Sequence, residues 1–453
     1  MKILIAGCGT VGQTLAQQLS AEGNDLTLVD SDPRVLESGM ERYDVMAVQG
    51  NCASMQILRQ AGVEKADLLI ACTGSDELNL LSCLTAHVIN PNLHTSARIR
   101  NPEYAEQAYM MRDAFALSMA FNPEQQAAVE IDRLLKIPGF LKRDAFAKGR
   151  LEIVEIRVDA DSKLCNVPLS ILYSIVKCRV LVCAVLRDGV AFTPNGKFTL
   201  QEGDRVFVTA SSTNLAMLLK SLGLVRHKVR RALIAGGGTV TYYLAELLRE
   251  SSVEVTVIES DEERCKEMSA EFPFINVICG DAREQSLLES EGIDHTDALI
   301  ALTSNDELNM VISLYGHSRE IKQTITKLEY LDESVMTGEL PLGSVISPHR
   351  SCCNNIVRYV RSMQSQSGAA ISVHSIADGQ AEALEFRIDA DTPYCDVPLK
   401  RIKLKKNVLL VGISHGSQTQ IPNGESTYGP GDTVVVVACG DTSVRQFDDI
   451  FAF

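Results

Sequence analysis

Gly7-Cys8-Gly9-Thr10-Val11-Gly12 places three glycines at a spacing suited to one task, holding a diphosphate on bare backbone. In such a loop the first glycine turns the chain and the second lets a pyrophosphate approach. The third lets the following helix lie close to its sheet. The anion is met by the unpaired N–H groups and positive end of that helix, so no lysine is required. Asp30 follows about twenty residues later, where a carboxylate accepts hydrogen bonds from a ribose diol. A 2′-phosphate would meet its negative charge, so the expected ligand is NAD rather than NADP.

The elements needed to position these residues are written around them. Lys2-Ile3-Leu4-Ile5-Ala6 is an apolar run suited to a strand buried on both faces, and a helical pattern continues through Leu15 and Leu19. Leu26 to Val29 is a second apolar run that ends on Asp30. Asp32-Pro33 then reads as an N-cap followed by the first helical residue. Strands expected over 44–49, 67–72 and 94–99 alternate with helices over 54–61, 76–88 and from Pro102. That alternation predicts a parallel sheet with helices on both faces, whose ligands sit beyond the carboxyl ends of the strands. The rule brings Asn51, Thr73, Gly74 and Arg98 to the rim of the glycine loop. Asn51 is placed to reach an adenine or ribose edge, and Thr73 the ribose or pyrophosphate, though both also suit ordinary turns or caps. Arg98 lies within a strand, where it either contacts phosphate or pairs with a carboxylate.

From Phe121 the pattern changes. A helix expected over 124–135 leads to Ile137-Pro138-Gly139, and strand-like alternation follows over 151–158, 179–186 and 204–208. Asp188-Gly189 is a hairpin signal, and 212–222 reads as a closing helix. This smaller α+β module has no glycine loop of its own. The whole pattern then returns about 229 positions on. Gly236-Gly237-Gly238-Thr239-Val240-Thr241 copies the first loop, with Glu259 for Asp30, Asp281 for Asn51, Thr303 for Thr73 and Lys327 for Arg98. Asp159-Ala160-Asp161 recurs as Asp389-Ala390-Asp391, and Pro194-Asn195-Gly196 as Pro422-Asn423-Gly424. The expected fold class is therefore α/β by tandem duplication. It has two Rossmann-like, doubly wound parallel-sheet domains at 1–122 and 230–348, with small α+β modules at 143–226 and 368–453.

Composition narrows the function. At 453 residues the chain is long enough for several cores, and its 45% hydrophobic and 22% charged residues are ordinary for a soluble protein. A formal charge of −15 argues against a phosphate-backbone partner and against direct attachment to acidic lipid. No apolar run approaches the roughly 20 residues of a spanning helix, and a strand beginning at Lys2 leaves no expected signal peptide. The thirteen cysteines include no CxxC pair, which reads as buried, reduced thiols of a cytosolic protein without a metal site. Of the eight histidines, His87 and His317 are expected on helices and His94 beside a strand. His227, His295, His349, His374 and His415 are expected in loops or linkers. None repeats beside a strand-end carboxylate, so catalysis by histidine is not expected.

The run Lys2 to Gly12, Leu28-Val29-Asp30, Thr73-Gly74-Ser75-Asp76-Glu77-Leu78-Asn79 and Asp204-Arg205-Val206-Phe207-Val208 resemble domains that regulate potassium conductance (RCK domains). With two such units, the chain is similar over nearly its whole length to the potassium-uptake regulators of bacterial Trk systems. The resemblance implies a regulatory homo-oligomer, expected to be a tetramer, acting as a gating ring and not as an enzyme. It also implies attachment to the cytoplasmic face of the inner membrane through a potassium-transporter subunit of the TrkH/TrkG type, with no nucleic-acid partner. NAD(H), with ATP or ADP as further regulatory ligands, would bind Gly7, Cys8, Gly9, Thr10, Val11, Asp30, Asn51, Thr73, Gly74 and Arg98. A second site would use Gly236, Gly237, Gly238, Thr239, Val240, Glu259, Asp281, Thr303 and Lys327. The chain departs from the family pattern at Asn51, where an aspartate is common, and at Thr241, which replaces the third glycine. Two other classes stay open. An NAD-dependent oxidoreductase with a degenerate repeat would turn over a small substrate. A nucleotide-sensing DNA-binding repressor is disfavoured by the acidic charge.

Overall fold

A computed structural model describes residues 1–110, 112–136, 142–146, 150–223, 229–329, 340–364, 370–416, 418–440, 442, 444 and 446–452. The chain divides into two compact units, Met1–Ala127 with Ser347–Val360, and Ala128–Ile346 with Arg361–Phe453.

The first unit is built on six parallel strands. They are β1 (Lys2–Ala6), β2 (Asp25–Asp30), β3 (Met46–Gln49), β4 (Leu68–Ala71), β5 (His94–Arg98) and β6 (Met119–Phe121), in the order β3-β2-β1-β4-β5-β6. The central strands carry no polar alternation because both faces are covered, and Ile3, Ile5, Leu68 and Ile70 are all completely buried. Ala6 pairs with Val29 on one side and Ala71 on the other, so β1, β2 and β4 end level with one another. The helix Pro33–Arg42 begins as expected, with the Asp32 carboxylate accepting the Arg34 N–H and proline in its first turn. Strand β6 escaped sequence reading. It has three residues, too few to carry a period-two pattern.

Ser347–Val360 also belongs to this unit. From Pro348 on, these residues lie on the helix Pro348–Gln364, where Cys352, Cys353, Ile356 and Val360 are buried. Asn355 Nδ2 donates to Gln126 Oε1 at 2.8 Å, joining that helix to the first turn of the helix Pro123–Lys136.

The second unit contains three sheets. Strands β7 (Lys142–Phe146), β8 (Leu151–Arg157), β9 (Leu181–Arg187), β10 (Val190–Phe192) and β11 (Arg205–Ala210) form an antiparallel sheet, ordered β10-β9-β11-β8-β7. The copy of the parallel sheet uses β12 (Arg231–Ala235), β13 (Glu254–Glu259), β14 (Asn276–Cys279), β15 (Ala298–Ala301), β16 (Gln323–Lys327) and β17 (Ser344–Ile346), ordered β14-β13-β12-β15-β16-β17. A second antiparallel sheet, β18-β19-β22-β20-β21, comprises β18 (Ala370–Ile376), β19 (Ala381–Arg387), β20 (Val408–His415), β21 (Gln418–Gln420) and β22 (Thr433–Cys439). The two antiparallel sheets share one core, in which Phe146, Ile153 and Phe207 meet Ala383, Val411 and Val437. Each small module thus buries apolar surface that it could not cover alone.

Four histidines expected in loops or linkers lie instead in regular elements, His295 ending the 3-10 helix Ile293–His295. His349 is on the helix Pro348–Gln364, His374 is on β18 and His415 ends β20. His374 packs against Phe146, with ring centroids 4.5 Å apart. His227 and Ile137-Pro138-Gly139 lie outside the described residues. All thirteen cysteines are free thiols, and most are buried. Among the described residues, no helix is long and apolar enough to cross a membrane.

The modules differ in how they treat a shared carboxylate. Asp204 is fully buried and accepts two hydrogen bonds from Arg187 at 2.7 Å and one from the Gln201 N–H at 2.8 Å. At the matching place His415 Nδ1 lies 2.8 Å from Asp432, with a more exposed imidazole. Replacing Asp204 with Ala takes a charged acceptor from the half-buried Arg187 guanidinium and from the Gln201 N–H, at an expected cost of about 3 kcal/mol. Asp432→Ala should cost less. Thermal unfolding of both variants checks the order.

Candidate functional site

Each glycine loop leaves the end of a central strand. Gly7 has φ +98°, and a Cβ there would lie 2.7 Å from the Thr73 nitrogen, so both the turn and the close approach demand glycine. Gly236 repeats this with φ +106° and a 2.8 Å approach to the Leu302 oxygen. Over Gly9 and Gly238 the situation is reversed. No atom lies within 4 Å of the place a Cβ would take, so the backbone faces open space.

The helices Thr10–Ala21 and Thr239–Leu248 start at these two glycines with no side chain capping them. Asp32, Ser75, Asp261 and Asn305 do cap the helices that follow them. The uncapped amides of a helix start are an anion seat. An open glycine leading into such a start fits a diphosphate at both loops.

The strand-end acids are already engaged. Asp30 accepts the Cys8 N–H at 2.6 Å and the Asp32 N–H at 3.0 Å. Glu259 accepts the Gly237 N–H at 2.6 Å and the Asp261 N–H at 2.8 Å. Burial alone would raise the Glu259 pKa, but the amides of Asp261, Gly237 and Ser260 outweigh it and hold the carboxyl below its ordinary range. Each Asp30 oxygen has a further lone pair, and so has Glu259 Oε2, while Glu259 Oε1 also accepts the Ser260 hydroxyl at 3.2 Å, so ribose hydroxyls can be accepted beside the loop amide.

The other expected residues divide into two groups. Thr73 and Thr303 stand beside the loops, yet their amides and hydroxyls are committed to Asn79 and Asn309 at 2.7–2.9 Å. Those asparagines reach on to the carbonyls of Arg98 and Lys327, tying β4 to β5 and β15 to β16. Gly74 is exposed, and its carbonyl accepts from Arg100. Asn51 and Asp281 each accept a backbone N–H two residues on at 2.9 Å, a local turn at the end of the neighbouring strand. The Arg283 side chain also holds the Asp281 carboxyl below its usual range. Arg98 makes an ion pair with Glu124 at 2.8 Å, and Lys327 with Glu329 at 2.7 Å.

Sequence reading missed the bracing asparagines and the carboxylates beside them. Asp76 accepts the N–H groups of Arg100 and Asn101, and Asp306 accepts that of Glu329. The repeated Asp-Glu-Leu-Asn segment was the available signal, since it appears in both units at the same distance from its threonine.

The loops differ at their third position. A Cβ on Gly12 would lie 2.0 Å from the Gly7 oxygen, an impossible contact. Thr241 nevertheless occupies the matching place, fully buried, with Oγ1 donating to the Gly236 oxygen at 2.6 Å. There the side chain is accommodated with its hydroxyl bonded to the carbonyl that a Cβ on Gly12 would strike. Thiols surround the first loop. Cys72 donates to the Gly7 oxygen at 3.2 Å and burial pushes it up to about 12, and burial raises Cys8, Cys352 and Cys353 as well.

The TrkA-N domain matches residues 3–118 and again 232–348, and the TrkA-C domain matches 153–223 and 383–452. The chain belongs to the TrkA family. It is 31% identical over 451 residues to the Trk system potassium uptake protein TrkA homolog of Archaeoglobus fulgidus, covering 100% of both chains. Among solved structures, the GsuK RCK domain superposes with a TM-score of 0.62 at 17% identity, over 97% of this chain and 92% of that one. The GsuK channel bound to NAD superposes at 0.59 and 18% identity, over 97% and 76%. The TrkA-N segments contain the glycine loops and strand-end acids described above, so in this TrkA-family chain the open helix starts fall within the TrkA-N domains.

Two outcomes follow from this geometry. Gly12→Ala should disrupt the first loop and weaken nucleotide binding there at least tenfold, whereas Thr241→Gly should be tolerated and shift the second loop's preference toward the first. Titrations of NADH and ATP against the parent and both variants check this. The Glu259 carboxylate contributes stability fully above the ordinary glutamate value of about 4.3, and that contribution fades as pH falls through the lower folded value. In Glu259→Gln the acid side of the stability profile should therefore be shallower. Denaturant unfolding from pH 6 to 3 measures it.

Proposed function

We propose that this chain is a nucleotide-sensing regulatory subunit of a Trk-type potassium uptake system. The observation that carries the reading is the pair of open, uncapped helix starts, each beside a strand-end carboxylate, in a duplicated TrkA-N and TrkA-C chain. NAD(H) is the expected ligand. The loop amides take its diphosphate, and Asp30 and Glu259 accept its ribose hydroxyls. The NAD-bound GsuK channel supports that ligand class, and a GsuK structure bound to ADP, with a TM-score of 0.50, supports adenine nucleotides as alternatives. The name of the Archaeoglobus relative supports potassium uptake as the process regulated.

A binding role also accords with the thiols beside the first loop, whose raised pKa values make them poor nucleophiles. Regulation then requires only that the nucleotide bind two conformations unequally. Asp30 offers a local origin for that difference, because its carboxylate holds the Cys8 amide and must share itself with an incoming ribose. A coupling of about 1–3 kcal/mol suffices to regulate an attached transporter. The acting form is a homo-oligomer, most simply a tetramer, docked to the cytoplasmic face of a TrkH/TrkG-type membrane subunit.

Asp30→Ala should lower NADH affinity about ten- to a hundredfold, the worth of a charged hydrogen bond of roughly 1.5–3 kcal/mol. Calorimetry on the folded variant measures this, and unchanged affinity removes Asp30 from the site. Potassium uptake in cells carrying the transporter should respond to nucleotide level with the parent chain and less with the variant. Uptake indifferent to nucleotide, or steady oxidation of NADH with a small substrate, overturns the reading.

A further inference from the structure

The first unit has a concavity at the opposite end of its sheet from the glycine loop. It has a volume of ≈ 590 Å³ and is lined by His87, Asn92, His94, Arg112, Asp113 and Tyr359, among others. His94 is the first residue of β5, so the cavity opens at the amino ends of the strands. That volume is in the range of small-molecule sites, and the lining brings one guanidinium and two imidazoles together.

Its wall is preformed. Arg112 donates from Nε to the Leu117 oxygen at 2.8 Å and from Nη2 to the Ser118 oxygen at 2.7 Å, which uses two of its five N–H donors. The Thr95 N–H donates to Ser118 Oγ at 3.1 Å, and the Thr95 hydroxyl donates to the Ala116 oxygen. His94 Nδ1 lies 3.4 Å from both Ser118 Oγ and Tyr359 Oη. These contacts are long and weak, so the ring can exchange them for a ligand oxygen at little cost.

The internal repeat supplies a control. Gln323 begins β16 as His94 begins β5, and Leu134 follows Pro123 by eleven residues as Tyr359 follows Pro348. In the second unit Gln323 and Leu134 are both buried, and Gln323 Nε2 donates to the Leu134 oxygen at 3.0 Å. Duplication thus produced two versions of one position. One is packed by an amide on a backbone carbonyl, and the other places an imidazole and a phenol at a cavity. The second unit thus closes this position, whereas in the first unit His94 and Tyr359 line a cavity.

We propose that this cavity binds a small hydroxylated organic phosphate, independently of the glycine loops. Arg112, His87 and His94 supply donors for the phosphate. Asp113 and Asn92 accept sugar hydroxyls, and the Tyr359 ring offers an aromatic surface to the carbon skeleton. A sugar phosphate and a nucleoside monophosphate share this chemistry, differing in whether a base adds contact.

The test uses the full chain saturated with NADH, titrated with ribose 5-phosphate, AMP and inorganic phosphate, and soaked crystals to locate the ligand. Ribose 5-phosphate should bind with its phosphate beside Arg112. Tighter binding of AMP would assign the site to nucleotides, and equal binding to sugar phosphates. The double variant H94Q/Y359L, which copies the packed pair of the second unit, should weaken binding at least tenfold and leave NADH titration unchanged. Arg112→Ala should do the same independently. The proposal is overturned if neither organic phosphate binds, if inorganic phosphate binds equally well, or if binding survives both variants.

Discussion

Ala6 pairs with Val29 on one side and with Ala71 on the other, and this parallel register sets the whole site. Because these pairs lie level, the residues just beyond them, Gly7, Asp30 and Cys72-Thr73, are neighbours in space though up to 66 positions apart. The register repeats at Ala235, Ile258 and Ala301. A slip of one residue would turn the apolar side chains to the wrong faces and move the acid away from the loop. The close passage of Gly7 against Thr73 is the consequence that tolerates no side chain. It leaves the helix start open above Gly9, where a phosphate can reach the amides.

Around this frame the two copies have diverged in ways that keep the geometry and change its chemistry. Asp30 and Glu259 differ by one methylene yet hold the same loop amide at 2.6 Å. Thr241 occupies a place where its counterpart must be glycine, and its hydroxyl restores by hydrogen bonding a contact that Gly12 makes by proximity. Arg187 and His415 face equivalent aspartates, one as a guanidinium and the other as an imidazole. A duplicated chain can vary one copy while the other retains the parent arrangement, which favours two sites of related but unequal preference.

The bracing asparagines show how a site residue can act without touching a ligand. Asn79 joins the amide and hydroxyl of Thr73 to the carbonyl of Arg98, so the ends of β4 and β5 hold a single spacing. Asn309 performs the same task for Thr303 and Lys327. Such links connect the ends of neighbouring strands at the rim through one buried side chain.

Much of this was legible in the sequence because it is local. The glycine spacing, the Asp32-Pro33 helix start, the hairpin at Asp188-Gly189 and the 229-residue repeat all depend on residues close together or on matching like with like. The strands β1 and β4 announced themselves by unbroken apolar runs, since a strand covered on both faces has no polar side to show. Tertiary structure decided the rest. The three residues of β6 are a strand only because β5 offers them a partner, and Ser347–Val360 packs in the first unit from more than two hundred positions away. Arg98 could be placed within a strand from sequence, with phosphate or a carboxylate as its partner, but its pairing with Glu124, and that of Lys327 with Glu329, required the fold. Cavities are likewise invisible beforehand, because an empty volume is a property of how elements fail to fill space. Periodicity records which face of an element is buried, and only packing determines what that face meets.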